Sequence, residues 1–304
     1  MNPDLAISII GLTKNYGSVQ ALRGVDLDVS NGEIFGFLGP NGAGKTTTIR
    51  CMLDLIRPQS GSLRLLGLDP QQDPVGVRAR VGYLPGELSL ESNLKVEALL
   101  RYFASLRQNR VDWGFVEELA RRLQLDLSIA GKNLSKGNKQ KVGVVQALMG
   151  KPRLLLLDEP TSGLDPLVQQ EVYRLLKEAQ AGGATVFFSS HIISEVEAIA
   201  ERVAIIRNGV IVEEAAPSRL INFAVRKVKI RFLKPVDPAP LGDLSGVILL
   251  PALDGDWVSL QVEGEMDGLI KALAAYPVGD IQTEHASLEE VFLTYYKAAE
   301  EGGT

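Results

Sequence analysis

The sequence predicts an α/β fold built on a mainly parallel sheet, with a smaller α+β domain behind it, and three observations carry that reading. Short apolar runs of strand length at 34–38, 153–157 and 185–189 alternate with stretches of helical periodicity, as in parallel sheets whose strands are buried on both faces. The run at 34–38 passes straight into a glycine-rich loop that opens a helix at Lys45, the order expected of a phosphate-binding unit. Beyond residue 222 the order changes to several strand-like runs followed by helical ones.

Each element can be justified in turn. Val25, Leu27 and Val29 have an apolar period of two and lead into Asn31-Gly32, which predicts a strand turning in a hairpin onto 34–38. Helical periodicity is expected from about 75 to 124, with Leu94, Ala98, Leu99, Tyr102, Phe103 and Leu106 on one face and Phe115, Leu119 and Leu123 on another. Helices at 139–149 and 168–179 should flank the strands at 153–157 and 185–189. A hairpin, 203–206 with 210–212 about Asn208-Gly209, closes this part. In the remainder, strands are expected at 228–232, 247–250 and 258–262, the last two joined through Asp254-Gly255, then helices at 266–276 and 288–296 separated by a strand at 278–282. The predicted domains are therefore 1–222, with a helical subdomain at about 88–150, and 223–304.

Composition narrows the class. Of 304 residues 45% are apolar and 23% charged, which suits a packed globular chain and excludes disorder and fibrous repeats. No apolar run approaches the roughly 20 residues of a membrane span. The single Cys51 cannot close a disulfide within the chain, and the opening MNPDLAISII lacks the basic region of a secretory leader, so the expected compartment is the reducing cytosol. The net charge of −5 is uneven: 25 Lys and Arg oppose 24 Asp and Glu in 1–222, and 7 oppose 13 in 223–304. Neither part offers the basic stripe that nucleic-acid binding requires, so no nucleic-acid partner is expected.

The chemistry is concentrated in two motifs. Gly39-Pro40-Asn41-Gly42-Ala43-Gly44-Lys45-Thr46 fits G-x-x-x-x-G-K-[ST] in the strand-to-helix frame that confirms it. Glycines let backbone N–H groups converge on phosphates, the helix start adds a favourable dipole, Lys45 reaches the β- and γ-phosphates and the Thr46 hydroxyl can ligate Mg²⁺. Thr47 is expected to add a phosphate contact. The run at 153–157 ends in Asp158-Glu159, which in nucleotide-hydrolysing proteins with such a loop places one carboxylate, Asp158, beside Mg²⁺ and leaves Glu159 to polarise the attacking water.

With these motifs in place, the chain resembles the ATP-binding subunits of ABC transporters, over residues 4–215. Leu134-Ser135-Lys136-Gly137-Asn138-Lys139-Gln140 is similar to the family signature LSGGQ, its Ser135 lying 23 residues before Asp158. Thr161-Ser162-Gly163-Leu164-Asp165 resembles the D-loop, and Ser189-Ser190-His191 resembles the strand end that carries the switch histidine. The resemblance implies the P-loop ATPase fold of that family, with a mainly parallel sheet, an antiparallel β subdomain and a helical subdomain. It also implies that ATP and Mg²⁺ are bound, that Tyr16 stacks on adenine, that His191 contacts the γ-phosphate and that Asp165 couples two sites across a dimer. Ser135, Gly137 and Asn138 would bind the ATP of a second subunit.

Two departures from the family qualify the reading. In Val81-Gly82-Tyr83-Leu84-Pro85-Gly86-Glu87, Gly86 stands where the family usually has Gln or Glu, and Glu87 is the expected partial substitute. Lys136 and Asn138 replace Gly and Gln of the signature, a variant resembling exporter subunits for drugs, antibiotics and lipids. The ending Ala286-Ser287-Leu288-Glu289-Glu290-Val291-Phe292-Leu293 is similar to the short extension of such subunits, and Val291, Phe292, Tyr295 and Tyr296 would form an apolar helical stripe there. The expected function is that of an ATPase subunit, peripheral on the inner face of the cell membrane, that pairs with a second subunit and drives export through a separate transmembrane permease. An importer subunit and a non-transport ATPase of the same fold are the alternatives.

Overall fold

The computed structural model describes residues 4–90, 93–107, 111–217, 226–250 and 257–284, and the chain divides into two compact units, 1–215 and 216–304. In the first, β1 (Leu5–Tyr16) and β2 (Val19–Ser30) form a long antiparallel hairpin, and β4 (Ser60–Leu65) pairs with the free edge of β1. A second sheet carries six strands. These are β3 (Ile34–Leu38), β5 (Val81–Leu84), β6 (Leu154–Asp158), β7 (Thr185–Ser190), β8 (Arg202–Arg207) and β9 (Val210–Ala215), in the spatial order β5-β6-β7-β3-β8-β9. All pair in parallel except β9, which returns antiparallel through Asn208-Gly209. Both turn residues have positive φ, the conformation a two-residue hairpin loop demands and an Asn-Gly pair supplies at little cost.

Helix α1 (Lys45–Met52) lies between the two sheets. Ile49 and Met52 share a core with Ile7, Ile9, Val25 and Val29 of the antiparallel sheet and with Phe35, Leu154 and Leu156 of the parallel one. Every residue of β3, β6 and β7 is buried, and Phe187 packs with Phe35 and Phe37 at ring-centroid separations of 5.9 and 5.3 Å. At about 1.5–3 kcal/mol for each large apolar side chain fully removed from water, this core fixes where the C-terminal ends of β3, β6 and β7 sit.

Three expectations are corrected. Asn31-Gly32 is not a hairpin turn: β2 belongs to the antiparallel sheet and β3 is flanked on both edges by β7 and β8, so the turn carries the chain between sheets, with the Gly32 N–H donating to Thr185 Oγ1 at 2.8 Å. The stretch 75–124 is not helical throughout. After α2 (Pro74–Arg80) the chain forms β5, because Val81, Gly82 and Leu84 enter the sheet edge beside β6. Four-residue strands are too short to leave a period of their own. On α3 (Val96–Ser105) the buried residues are Val96, Leu99 and Leu100, while Leu94, Tyr102 and Leu106 of the anticipated stripe are more than half exposed. Leu119 and Leu123, on and just after α4 (Trp113–Arg122), are buried as expected. Strand β4 carries no apolar alternation before Leu63 and was not anticipated.

Helix α5 (Lys136–Leu148) packs on α3, α4 and β5, and α6 (Pro166–Ala181) on β7. Arg122 at the end of α4 fastens this helical segment to α6: its guanidinium donates to Glu171 at 2.5 Å and to Glu178 at 2.6 and 2.7 Å. Those hydrogen bonds hold both carboxyls below their usual pKa. Helix α7 (Ile193–Ile199) follows β7 and packs on β3. Among the described residues no helix is long and apolar enough to cross a membrane.

Among its described residues the second unit is an antiparallel sheet with two short helices. Strands β10 (Arg226–Phe232), β11 (Val247–Leu249), β12 (Trp257–Val262) and β13 (Val278–Glu284) lie in the order β11-β12-β10-β13. Val228, Ile230, Leu260 and Val262 face Leu241, on the short helix Ala239–Gly242, and Leu269 and Leu273, on the helix Asp267–Leu273. The short helix Ala239–Gly242 was not expected. The Asp254-Gly255 turn, the helix at 288–296 and the stripe of Val291, Phe292, Tyr295 and Tyr296 lie outside the described residues.

Candidate active site

The parallel sheet delivers β3, β6 and β7 to one end, and the loops that leave these three strands make the site. The loop after β3 wraps tightly. A Cβ on Gly39 would stand 2.4 Å from the Ile206 carbonyl oxygen, and one on Gly44, at φ +115°, would stand 2.9 Å from that of Ala21. Nothing larger than glycine fits, so the backbone is pressed onto β8 and β2. Asn41 and Gly42 are exposed at the tip, Ala43 is buried, and Thr46 and Thr47 are half-buried in the first turn of α1.

Lys45 is 5% exposed, and its ammonium donates to the carbonyls of Gly39 at 2.6 Å and Pro40 at 3.2 Å, with Glu159 Oε1 at 3.6 Å. Burial pulls its pKa below the usual lysine value, while Glu159 and Asp158 act in the opposite sense. The Thr46 hydroxyl donates to Asp158 Oδ2 at 2.6 Å. These are oxygens of the kind Mg²⁺ takes, which is the chemistry the two residues were assigned, and the glycine cradle fits a chain of phosphates beside them.

Asp158 is buried, and its second oxygen accepts from Ser189 Oγ at 2.5 Å. Glu159 has φ +50°, a left-handed conformation uncommon for a side-chain-bearing residue and typical of functional sites. It is held from several sides: its N–H donates to Ser189 O at 3.2 Å and Ser189 Oγ at 3.0 Å, and its carbonyl accepts from Gln140 Nε2 at 2.9 Å. The Glu159 carboxylate lies 3.1 Å from His191 Nδ1, so Lys45, Thr46, Asp158, Glu159 and His191 form one connected polar group at the mouth of the glycine loop.

The remaining candidates sit elsewhere around this group. Ser135 is exposed and caps α5, its Oγ accepting the Asn138 N–H at 3.2 Å. Gly137 packs so closely on the next loop that a Cβ would stand 2.7 Å from the Gly163 carbonyl. Asp165 caps α6 by accepting the N–H groups of Leu167 and Val168, both at 3.1 Å. Both caps have a stabilising role of about 1 kcal/mol apart from any other. Tyr16 ends β1, is 46% exposed, and has Lys14 Nζ 5.4 Å from its ring centre. Gly86 lies against Asp158, where a Cβ would stand 3.1 Å from Oδ2, and Glu87 beside it is exposed.

Gln140, Ser189 and Glu195 were not singled out by the sequence reading. Gln140 and Ser189 hold Glu159 as described. Glu195, on α7, is 8% exposed and accepts from both Thr161 and Ser190. The available signal was the Ser189-Ser190 pair, since strand alternation sends neighbouring hydroxyls to opposite faces of β7.

Comparison with known proteins gives the family. The family profile described as ABC transporter matches residues 22–162. The bacitracin transport ATP-binding protein BcrA of Bacillus licheniformis is 39% identical over 215 residues, 68% of this chain and 69% of that protein. The Nod factor export ATP-binding protein I of Paraburkholderia xenovorans is 34% identical over 306 residues, covering 96% of this chain and 97% of its own. A solved structure of an ATP-binding subunit of an ABC transporter superposes with a TM-score of 0.65 at 30% identity, over 71% of this chain and 91% of that one. On the strength of those relatives, the chain belongs to the ABC transporter family, as an ATP-binding subunit with ATPase activity.

Proposed function

We propose that two such subunits close head to tail around two molecules of ATP with Mg²⁺, and that this closure drives export through a separate transmembrane permease. The observation that carries the pairing is the start of α5. Ser135 is exposed there at the head of a 13-residue helix, an end that favours an anion, while the chain's own phosphate cradle is the glycine loop at 39–47. A γ-phosphate presented by a second copy or a paralogue suits Ser135, the Gly137 N–H and Asn138. Export is the reading favoured by the relatives, whose names specify bacitracin transport and Nod factor export.

Within one site the roles divide by chemistry. The backbone of Gly39, Pro40, Asn41, Gly42, Ala43 and Gly44 with Thr47 surrounds the phosphates, and Lys45 places its charge at the β- and γ-phosphates. Tyr16 stacks on adenine. Glu159 polarises the attacking water, His191 holds the γ-phosphate in line with it, and Asp165 links the two sites across the dimer. Thr46 and Asp158 would hold Mg²⁺, which would supply neutralisation of the charge on the transferring group. Glu87 swings on Gly86 to take part of the role of the missing Gln. Replacing Glu87 with alanine should lower ATP turnover by roughly threefold to tenfold and raise the Mg²⁺ needed for half-maximal rate. An unchanged rate and Mg²⁺ dependence would remove Glu87 from the site.

The permease would hold the subunit at the inner face of the membrane. A groove of about 340 Å³ lined by Leu55, Tyr83, Pro85, Phe103 and Arg107 suits a helical loop of that partner, and Leu94, Tyr102 and Leu106 are exposed on the helical segment. The test is to purify a tagged Glu159→Gln form from native membranes in detergent with MgATP and identify its companions by mass. A polytopic membrane protein is expected, together with a second ATPase subunit. A soluble or ribosomal companion, or none in the membrane fraction, overturns the transport reading.

A further inference from the structure

One buried carboxylate joins two loops of the site from behind. Glu195 accepts the Thr161 hydroxyl on one oxygen and Ser190 Oγ, at 2.5 Å, on the other. Both hydroxyl residues are 1% exposed. Ser190 Oγ in turn accepts the Ile192 N–H at 2.9 Å. Burial pushes the pKa of Tyr173, on α6, up to about 12. The Thr161 and Ser190 hydroxyls converge on Glu195 as their shared acceptor. Thr161 stands two residues after Glu159, and Ser190 stands one residue before His191.

We propose that Glu195 is a positioning residue for ATP hydrolysis: by holding Thr161 and Ser190 on one carboxylate it sets Glu159 and His191 in register and makes their loops move as one. It acts through Thr161 and Ser190 rather than on the reacting atoms. The strained φ of Glu159 is fixed by Ser189 and Gln140, and Glu195 fixes the loop two residues further on. Without it the two buried hydroxyls lose their shared acceptor, and the 3.1 Å contact between Glu159 and His191 loses its common support. A glutamine preserves the bridge, since its carbonyl accepts from Thr161 and its amide donates to Ser190 Oγ, whose proton can turn to the Ile192 carbonyl, already at 3.3 Å.

This inference rests on the ATPase reading, and Glu159→Gln in the same assay separates the two: a parent no faster than that variant would fail the ATPase reading and not this one. With the full chain, Glu195→Ala should lower kcat by roughly tenfold to a hundredfold with KM for MgATP within about threefold, the pattern of misplaced groups rather than lost binding. Glu195→Gln should stay within about threefold of the parent in both. The chain has two histidines, so the His191 ring resonance can be assigned with a His191→Ala control; it should move in Glu195→Ala and not in Glu195→Gln. If Glu195→Ala does not fold, Thr161→Val, which cuts one tether, should give the same kcat-selective loss. A kcat within about twofold of the parent, KM rising in step with the fall in kcat, or a glutamine variant as impaired as the alanine one overturns the proposal.

Discussion

Replacing Glu159 with glutamine should leave nucleotide binding intact and lower steady-state ATP turnover by about 10²–10⁴-fold. The substitution keeps the shape and the left-handed backbone, which an amide side chain tolerates as well as a carboxylate. It removes the negative charge that faces Lys45 at 3.6 Å and His191 at 3.1 Å, and with it the group able to draw a proton from water. Ser189 and Gln140 hold the main chain of Glu159 and not its side chain, so the loop should keep its course. Folding stability should change by about 1 kcal/mol or a little more, because the Glu159 carboxylate is partly open to solvent and the buried Lys45 ammonium keeps the Gly39 and Pro40 carbonyls as partners. Equilibrium binding of a fluorescent ATP analogue, thermal melting and phosphate release measured on one preparation decide the matter. Turnover within a few-fold of the parent would refute the role given to Glu159, and loss of binding would place it in the phosphate cradle instead.

The phosphate loop and the Asp158-Glu159 pair were legible because their chemistry leaves no choice of residue. A glycine at 39 or 44 answers to a backbone neighbour less than 3 Å away, and an ammonium at 45 is the residue type that a phosphate-binding loop calls for. The parallel strands were legible for a similar reason: burial on both faces leaves unbroken apolar runs at β3, β6 and β7. What stayed hidden depends on partners distant in sequence. Asn31-Gly32 carries a hairpin signal, but whether its flanking strands pair is decided by β7 and β8, more than 150 residues away. Leu94, Tyr102 and Leu106 keep a helical period without being core, since a period reports an apolar face and not what covers it. Glu195 could not be read at all, because one of two glutamates on a short helix acquires meaning only when Thr161 and Ser190 arrive beside it.

Lys45 is where burial and charge oppose each other most directly, and changing it should give the second large effect. Alanine at this position removes the phosphate-facing charge and leaves the carbonyls of Gly39 and Pro40 without their donor. Turnover should fall by about 10²–10³-fold, near 3–4 kcal/mol in the transition state, with weakened ATP binding besides. The sharper test uses pH. Burial lowers the pKa of Lys45 in the free protein, so the ammonium is lost on raising pH sooner than in an unfolded chain. Its charged burial therefore costs stability below the lowered pKa, and that cost is relieved as pH rises from there towards the ordinary lysine value. Bound phosphates favour the ammonium and raise the pKa again. ATP affinity should then decline as pH rises through the lowered value, and binding in that window should take up a proton. Lys45→Arg, whose side chain stays charged throughout, should bind with no such decline, though its broader head fits the loop less well. Titrations at increasing alkaline pH in the Glu159→Gln background, with calorimetry in two buffers of different ionisation enthalpy, would show both effects. A parent whose affinity is flat with pH, or an arginine variant with the same slope as the parent, would mean that the ammonium of Lys45 is not what the phosphates meet.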